Sequence, residues 1–359
     1  MKPDITDISI KQLPATLGLL GLKPYAVSQI VAWLYKKRVS SFEEMTNLSK
    51  DAREILRNHF SLLHLKLGKI QQSADGTKKF VFVLSDGKRI ESVLIPSPDK
   101  RLTLCISTQV GCAMGCEFCR TARMGFVRDL SQGEIVGQLI EVQRTPLLCK
   151  EGRGEVDLPH LTSPYKGEGL QITNIVLMGM GEALVNYDSV VGATEIFLDE
   201  RAFNFSKRRV TISTSGLLPQ LARFAKQFDI KIAISLNATT DEVRNHLMPI
   251  NRRYALAEIM KFCRGYSKQS RHRVSFEYVM IRGVNDAPDD MKRLVNLLTG
   301  IRAKVNLIPF NSFPGCDYEA TLESTLHMWY KFLTEHGIQT NIRVSRGQDI
   351  LAACGQLAA

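Results

Sequence analysis

Six apolar, β-rich runs recur from about residue 102 onward: "TLCIST", "ITNIVLM", "RVTIST", "IKIAISL", "VSFEYVMI" and "KVNLIPF", each followed by a helical stretch. Such alternation predicts an α/β fold with a parallel sheet and helices on its outer face, since parallel neighbours are joined only by long crossovers. Six units favour a partial barrel over a doubly wound sheet, although spacing alone does not separate the two. In both, the loops after the strands' carboxyl ends carry the chemistry.

The flanks follow other periods. Residues 1–60 read as a helical accessory module: in "KPYAVSQIVAWLYKK", Val27, Ile30, Val31 and Leu34 recur at i, i+3, i+4 and i+7, and Ser41 with Glu44 forms a capping box for the next helix. Trp33 and Tyr35 read as packing residues. Residues 61–98 hold "HLKLGKI", "KKFVFVL" and "RIESVLI", separated by Asp75-Gly76 and Asp86-Gly87, so a small antiparallel sheet with tight turns is expected. The core spans 99–345. Within it residues 144–170, rich in Gly, Pro and charge, read as a disordered insertion, and its Cys149 as an incidental thiol. Residues 346–359 form a C-terminal tail.

At 359 residues and 44 % hydrophobic content the chain buries a sizeable core. The start, "MKPDITDISIKQL", lacks a basic segment before an apolar run, and no stretch approaches ~18 consecutive apolar residues. Neither signal peptide nor membrane span is expected, and a cytoplasmic monomer is. In a reducing compartment, clustered cysteines point to metal binding or catalysis. Forty-seven Lys and Arg against 36 Asp and Glu leave a formal +11, which favours a polyanionic partner such as a nucleic acid. Basic runs occur at "SKRRV", "NRRY" and "RHR", each of which also suits a solvated element end.

Four of the eight cysteines fall in "CISTQVGCAMGCEFCRTARMGF": Cys105, then Cys112, Cys116 and Cys119 as C-x3-C-x2-C. Three thiolates are one short of a closed tetrahedral zinc site, and none of the seven histidines lies near in sequence, though the fold can bring one in. They suffice for three irons of a cubane cluster, leaving the fourth iron to a non-protein ligand. The open cluster is favoured over zinc.

This signature, with Phe118 just before the third cysteine, resembles that of the radical S-adenosylmethionine (SAM) superfamily. The blocks "TLCISTQVGCAMGCEFCRTARMGFVRDLSQGEI", "VLMGMGEALVNYDSV", "SKRRVTISTSGLLPQL", "NLIPFNSFPG" and "RGQDILAACGQLA" closely resemble the RlmN/Cfr family of radical SAM adenine C-methyltransferases, from the helical module to the C-terminus outside 144–170. The resemblance implies a radical SAM partial (β/α)6 barrel, with a [4Fe-4S] cluster on Cys112, Cys116 and Cys119 and two SAM molecules per turnover.

In the family mechanism one SAM methylates Cys354, in "AACGQLA", by displacement. A second is cleaved by one electron at the open iron, and its 5′-deoxyadenosyl radical takes a hydrogen from that S-methyl group. The carbon radical adds to adenine, Glu91 in "RIESVLIP" accepts the ring proton, and Cys105 attacks Cys354 to form a disulfide that frees the base. Gly181 and Glu182 in "MGMGEA", Ser213 in "TISTSG", Ser235, Leu236 and Asn237 in "ISLNA", and Asn311 in "IPFNS" map to the SAM contacts. Gly347 and Gly355 bracket the second half of the tail, which suits a mobile loop carrying Cys354.

Glu91 shares a strand face with Arg89, Val93 and Ile95, a mixed face that equally suits a solvent-exposed edge. Ala183 and Asn237 stand where the family usually has Pro and His. The implied substrate is carbon 2 of an adenine in 23S ribosomal RNA, extending to transfer RNA in some members, with a cytoplasmic electron donor. Three other readings stand beside it: a Cfr-like enzyme acting on carbon 8, a non-catalytic RNA-binding protein with zinc on the three cysteines, and a divergent paralogue with the same chemistry on another RNA.

Overall fold

The computed structural model of the chain describes residues 2–62, 65–145, 154–156 and 171–359. Among these, thirteen strands form: β1 (Lys66–Gln72), β2 (Lys78–Val83), β3 (Arg89–Pro96), β4 (Leu102–Cys105), β5 (Gln109–Gly111), β6 (Phe126–Asp129), β7 (Gly154–Val156), β8 (Asn174–Leu177), β9 (Val210–Thr214), β10 (Lys231–Ser235), β11 (Val274–Met280), β12 (Ala303–Pro309) and β13 (Gln339–Ile342). Eleven share one sheet in the order β13-β12-β11-β10-β9-β8-β4-β3-β2-β1-β7, while β5 and β6 make a separate hairpin. The six runs expected as strands are β4, β8, β9, β10, β11 and β12, all parallel, and β13 adds a seventh. The four residues of β13, "QTNI", are too few and too polar for a period of two to show.

Strand order separates the two α/β windings. From β4 to β13 spatial neighbours follow chain order without reversal, so the switch point of a doubly wound sheet is absent among the described residues. The sheet also curls. Laid flat, five strand spacings of about 4.8 Å would hold β4 and β12 roughly 24 Å apart. Yet Lys304 of β12 feels the charge of Arg101, the residue before β4. At the other end Asn311, just after β12, donates to the Cys354 carbonyl at 3.0 Å, and the Cys354 thiol acts electrostatically on Cys105 at the end of β4. The result is an open partial barrel.

The strands of 61–98 are antiparallel as expected, and their turns are closed by the Ser73 and Leu84 amides donating to the Thr77 and Lys88 carbonyls. They do not stand apart as a sheet of their own. β3 pairs with β4 through Val93 and Cys105, so the hairpins extend the barrel sheet. Within 144–170, Gly154–Val156 pairs with β1 as β7; the residues from 146 onward on either side of that strand, Cys149 included, lie outside the described residues.

In the N-terminal module the helix Pro24–Val31 continues as a π-helical turn, Ala32–Lys37, and buries Val27, Ile30, Val31, Leu34 and Tyr35, with Trp33 half-buried. The Ser41–Glu44 capping box forms, but it closes a single 3-10 turn, Phe42–Glu44, because Met45 leaves helical backbone immediately after it. The module docks on the helix Gln132–Arg144. Asp7 Oδ1 accepts the Gly133 amide at 2.7 Å, and a Cβ at Gly133 would lie 2.4 Å from Thr6 Oγ1, so a side chain there would push the two apart.

Cross-strand partners share a face, and the register divides the sheet cleanly. One face carries Leu104, Ile175, Ile212, Ile232, Ile234, Phe276, Tyr278, Val305 and Leu307, all buried under helices, as where Tyr278 meets Trp329 of the helix Glu323–Glu335. The concave face carries Thr103, Cys105, Asn174, Thr211, Ser213, Lys231, Ser235, Ser275, Glu277, Lys304, Asn306 and Asn341, with Val176, Ala233, Val279 and Ile308 among them. Barrels filled by side chains use bulky branched residues there. This one presents small and polar groups, most of them half-exposed, and so leaves a bore that suits a polar ligand.

Candidate active site

The cysteine loop hangs from the β5–β6 hairpin. Gly111 has φ 74°, and a Cβ on it would fall 1.8 Å from the Gly125 carbonyl oxygen, which also accepts the Cys112 amide at 3.0 Å. Only glycine allows that approach. The chain then turns through Gly115, with the Cys119 amide donating to the Cys116 carbonyl at 3.1 Å. Burial pushes all three thiols up, Cys112 to about 12, while the Met114 amide pulls Cys112 back. The thiols also act on one another: Cys119 raises Cys112, and both raise Cys116.

Cys112, Cys116 and Cys119, whose thiols act on one another, supply the three thiolates that the implied cluster calls for. A cubane takes each thiolate on a different iron, so three thiolates leave its fourth iron to a non-protein ligand. The other charges acting on the set are Glu182 and Arg244.

Glu182 and Gly181 lie beside these thiols. Gly181 has φ 99°, and a Cβ there would meet Gln109 Cβ at 2.5 Å. Gln109 Oε1 in turn accepts the Glu182 amide at 2.9 Å. The buried Glu182 carboxylate accepts from the Ser215 amide at 2.7 Å and the Leu184 amide at 3.2 Å. Burial raises its pKa, and those donors oppose the rise. An anion so placed suits an ammonium arriving in the bore. Ser213 and Ser235 face the same bore half-exposed.

Two side chains read as SAM contacts are spent on the protein. Asn237 is buried with φ 57°; its Oδ1 accepts the Val279 amide at 2.8 Å and its Nδ2 reaches Met248 Sδ at 3.2 Å. Asn and His are both enriched in left-handed backbone, which accounts physically for the exchange of one for the other at this position. Asn311 donates to the Cys354 carbonyl and accepts from Gln348 Nε2 at 2.6 Å, so both of its amide groups hold the tail. The Leu236 side chain is fully buried, and its carbonyl accepts from Arg244 Nε at 3.0 Å.

The tail is docked rather than free. Gly355 accepts the Arg120 amide at 2.7 Å and Leu357 the Thr121 hydroxyl at 2.6 Å, next to Cys119. Gln356 Nε2 donates to the Ser312 carbonyl at 2.7 Å, and the Gly347 amide donates to Asp75 at 2.9 Å. Cys354 keeps solvent access although protein surrounds it on most sides. That surrounding pushes its thiol up, with Glu277 and Cys119 adding to the rise and Arg343 opposing it. Cys105 is buried, and burial together with Cys354 raises its thiol as well.

Glu91 is not on an exposed edge. β3 lies between β2 and β4, and its Glu91 is buried on the face that Val93 shares with Cys105. Glu91 Oε1 sits 3.0 Å from Lys79 Nζ, and Oε2 accepts the Ala358 amide at 2.9 Å. Burial raises the Glu91 pKa, with Lys79 the main opposing charge. Lys79 was legible: the Asp86-Gly87 turn pairs Val81 with Glu91, which places Lys79 diagonally beside it.

Arg244 has no such signal. Fully buried on the helix Asp241–Leu247, it donates to the carbonyls of Ser215, Ser235 and Leu236 and to Asn251 Oδ1, tying the ends of β9 and β10 together beside Cys116. Burial lowers its pKa to about 10. A groove between the helices Leu218–Gln227 and Leu256–Gln269, lined by Phe262 and Tyr266, belongs to the outer layer and holds none of the candidate residues.

Residues 3–62 match the family described as ribosomal RNA large subunit methyltransferase N-terminal domain, and residues 165–298 match the radical SAM superfamily. The chain is 46% identical to the dual-specificity RNA methyltransferase RlmN of Geotalea uraniireducens over 99% of this chain and 96% of that relative. It is 44% identical to that of Anaeromyxobacter dehalogenans over 99% and 92%. A radical SAM methyltransferase crystal structure from Sphaerobacter thermophilus superposes with a TM-score of 0.88 at 38% identity, covering 99% of each chain. Cysteine loop, polar bore and docked thiol tail therefore sit within a known lineage: the chain belongs to the RlmN family of radical SAM methyltransferases.

Proposed function

We propose that this enzyme methylates carbon 2 of an adenine in 23S ribosomal RNA and in transfer RNA, using Cys354 as methyl carrier and Cys105 as resolving thiol. One observation carries this reading: the tail seats Cys354 within electrostatic reach of both Cys105 and Cys119, two residues with no sequence proximity to it. The names of the relatives supply the RNA substrate class.

Cys112, Cys116 and Cys119 hold the cluster, and Gly181, Glu182, Ser213 and Ser235 line the bore where SAM binds. Bound there, the two groups supply a methyl cation equivalent and, after one-electron reduction, a hydrogen-abstracting radical. The chain's own residues do the rest. Cys354 takes the methyl group as a thiolate and presents it to the adenine. Glu91 accepts the ring proton, for which its burial suits it: a raised pKa brings a carboxylate closer to a working base. Cys105 then attacks the Cys354 sulfur; the new S–S bond forms as the carbon–sulfur bond to the base breaks, the carbon keeps the bonding pair and takes up a proton to complete the methyl group, and two thiols leave the turnover as one disulfide.

Two SAM molecules are consumed per methyl transferred, a cytoplasmic reductant supplies the electron, and the enzyme works as a monomer. Among the described residues no helix is long and apolar enough to cross a membrane. Nucleoside mass spectrometry of RNA from cells with and without the gene is the test. Loss of 2-methyladenosine on deletion is the expected result. An unchanged 2-methyladenosine level with loss of 8-methyladenosine would assign carbon 8 instead.

A further inference from the structure

The concave face carries two lysines that the reaction does not use. Lys231 opens β10 and Lys304 is the second residue of β12, so both project at the amino-terminal mouth of the barrel. Cys105, Ser235 and Asn311 lie at the opposite, carboxyl end. Around the same mouth stand Arg101, directly before β4, and Arg208 and Arg209, directly before β9.

These cations sense one another. Lys231 is acted on by Arg101, Arg209 and Arg208, and Lys304 by Arg343, Lys231 and Arg101. Burial first, and then this repulsion, lower the pKa of both lysines, with Glu277 partly offsetting it for Lys304. Among the described residues, Asp99 pairs with Arg101 at 2.6 Å in solvent, and Glu277, which acts on Lys304, also accepts from the neutral Asn306 at 2.6 Å inside the bore. Arg209 reaches only neutral oxygens, the Thr173 carbonyl at 3.4 Å and Asn174 Oδ1 at 3.3 Å. Among the described residues the Lys231 ammonium makes no hydrogen bond or ion pair, and Lys304 Nζ lies 3.0 Å from the neutral side-chain amide of Asn341.

Like charges gathered at one half-buried mouth repel one another, and an entering anion relieves that repulsion. We propose that the amino-terminal mouth of the barrel, at Lys231, Lys304, Arg101 and Arg209, is a binding site for a phosphate group, distinct from the active site at the other end. Two ammonium groups at the bottom and guanidinium forks on the rim match a tetrahedral oxyanion. Either free phosphate or pyrophosphate, or a phosphodiester of RNA running under the barrel, presents that chemistry.

Thermal unfolding of the full chain, in phosphate, pyrophosphate or chloride at matched ionic strength, tests this directly. It is paired with transfer RNA binding across a salt series, for the wild type, the Lys231→Gln/Lys304→Gln double variant and an outer-layer control, Lys226→Gln. Stabilisation by phosphate or pyrophosphate that the double variant loses and the control keeps would identify the free anion as the ligand. No such stabilisation, but a fall of about two in the log–log salt slope of RNA binding for the double variant alone, would identify the RNA backbone. If the double variant matches the wild type in both measurements, or the control behaves as it does, the site is overturned. The phosphate measurement does not depend on methyltransferase activity, so its failure leaves the proposed function untouched.

Discussion

Lys79 Nζ lies 3.0 Å from Glu91 Oε1, both side chains are buried, and the same ammonium reaches the Leu351 carbonyl of the tail at 3.3 Å. Glu91 and the tail are thus joined through one lysine. Glu91 Oε2 also accepts the Ala358 amide at 2.9 Å, so both carboxylate oxygens are tied to the tail, one directly and one through Lys79.

Removing Lys79 strips Glu91 of its main opposing charge. Its pKa, already raised by burial, then rises further. Lys79→Met is therefore expected to shift the acid limb of the RNA methylation rate to higher pH, while Lys79→Arg restores it; an unmoved limb would show that Glu91 is not the titrating base. The stability sign is fixed by linkage. A carboxyl whose folded pKa is raised loses stability as pH climbs from its unfolded value through the folded one, so Lys79→Met loses more of it at neutral pH. Breaking a buried pair costs about 3–5 kcal/mol, readable by denaturant titration.

Cys105 is buried beside the tail thiol. If it resolves the covalent link, Cys105→Ala should still load Cys354 and attack the base but fail to release it. Denaturing gel electrophoresis is expected to show a protein–RNA adduct with Cys105→Ala and none with the wild type. Full turnover by the variant would remove Cys105 from the mechanism.

Gly111 tests the cysteine loop without touching a cysteine. An alanine there meets the Gly125 carbonyl at a distance no real contact allows, in left-handed backbone as well. Gly111→Ala is expected to lower iron and sulfide per chain several-fold after anaerobic reconstitution, with a destabilisation on the order of 1–3 kcal/mol. Wild-type iron content would contradict the hairpin's role in setting the loop.

The sequence reading carried the barrel well because its six apolar runs are buried on their helix-facing side and had to be β-rich. It missed the polarity of the inner face, since Thr103, Thr211, Ser275 and Lys304 fall between apolar neighbours and look like ordinary alternation toward solvent. The antiparallel strands were legible from their Asp-Gly turns; that β3 joins β4 was not, because only long-range register shows it. At the site, the five cysteines were proposed from spacing and family likeness. The engagement of Asn237 and Asn311, the buried fork of Arg244 and the docking of the tail depend on tertiary hydrogen bonds, which no local pattern records.

The central claim is that Cys354 carries the methyl group. The most direct measurement is transfer of label from methyl-labelled SAM to RNA by Cys354→Ala, at an iron and sulfide content matched to the wild type. The predicted result is loss of RNA methylation to background, with Cys112, Cys116 and Cys119 still holding a full cluster. RNA methylation at the wild-type rate would contradict the thiol relay.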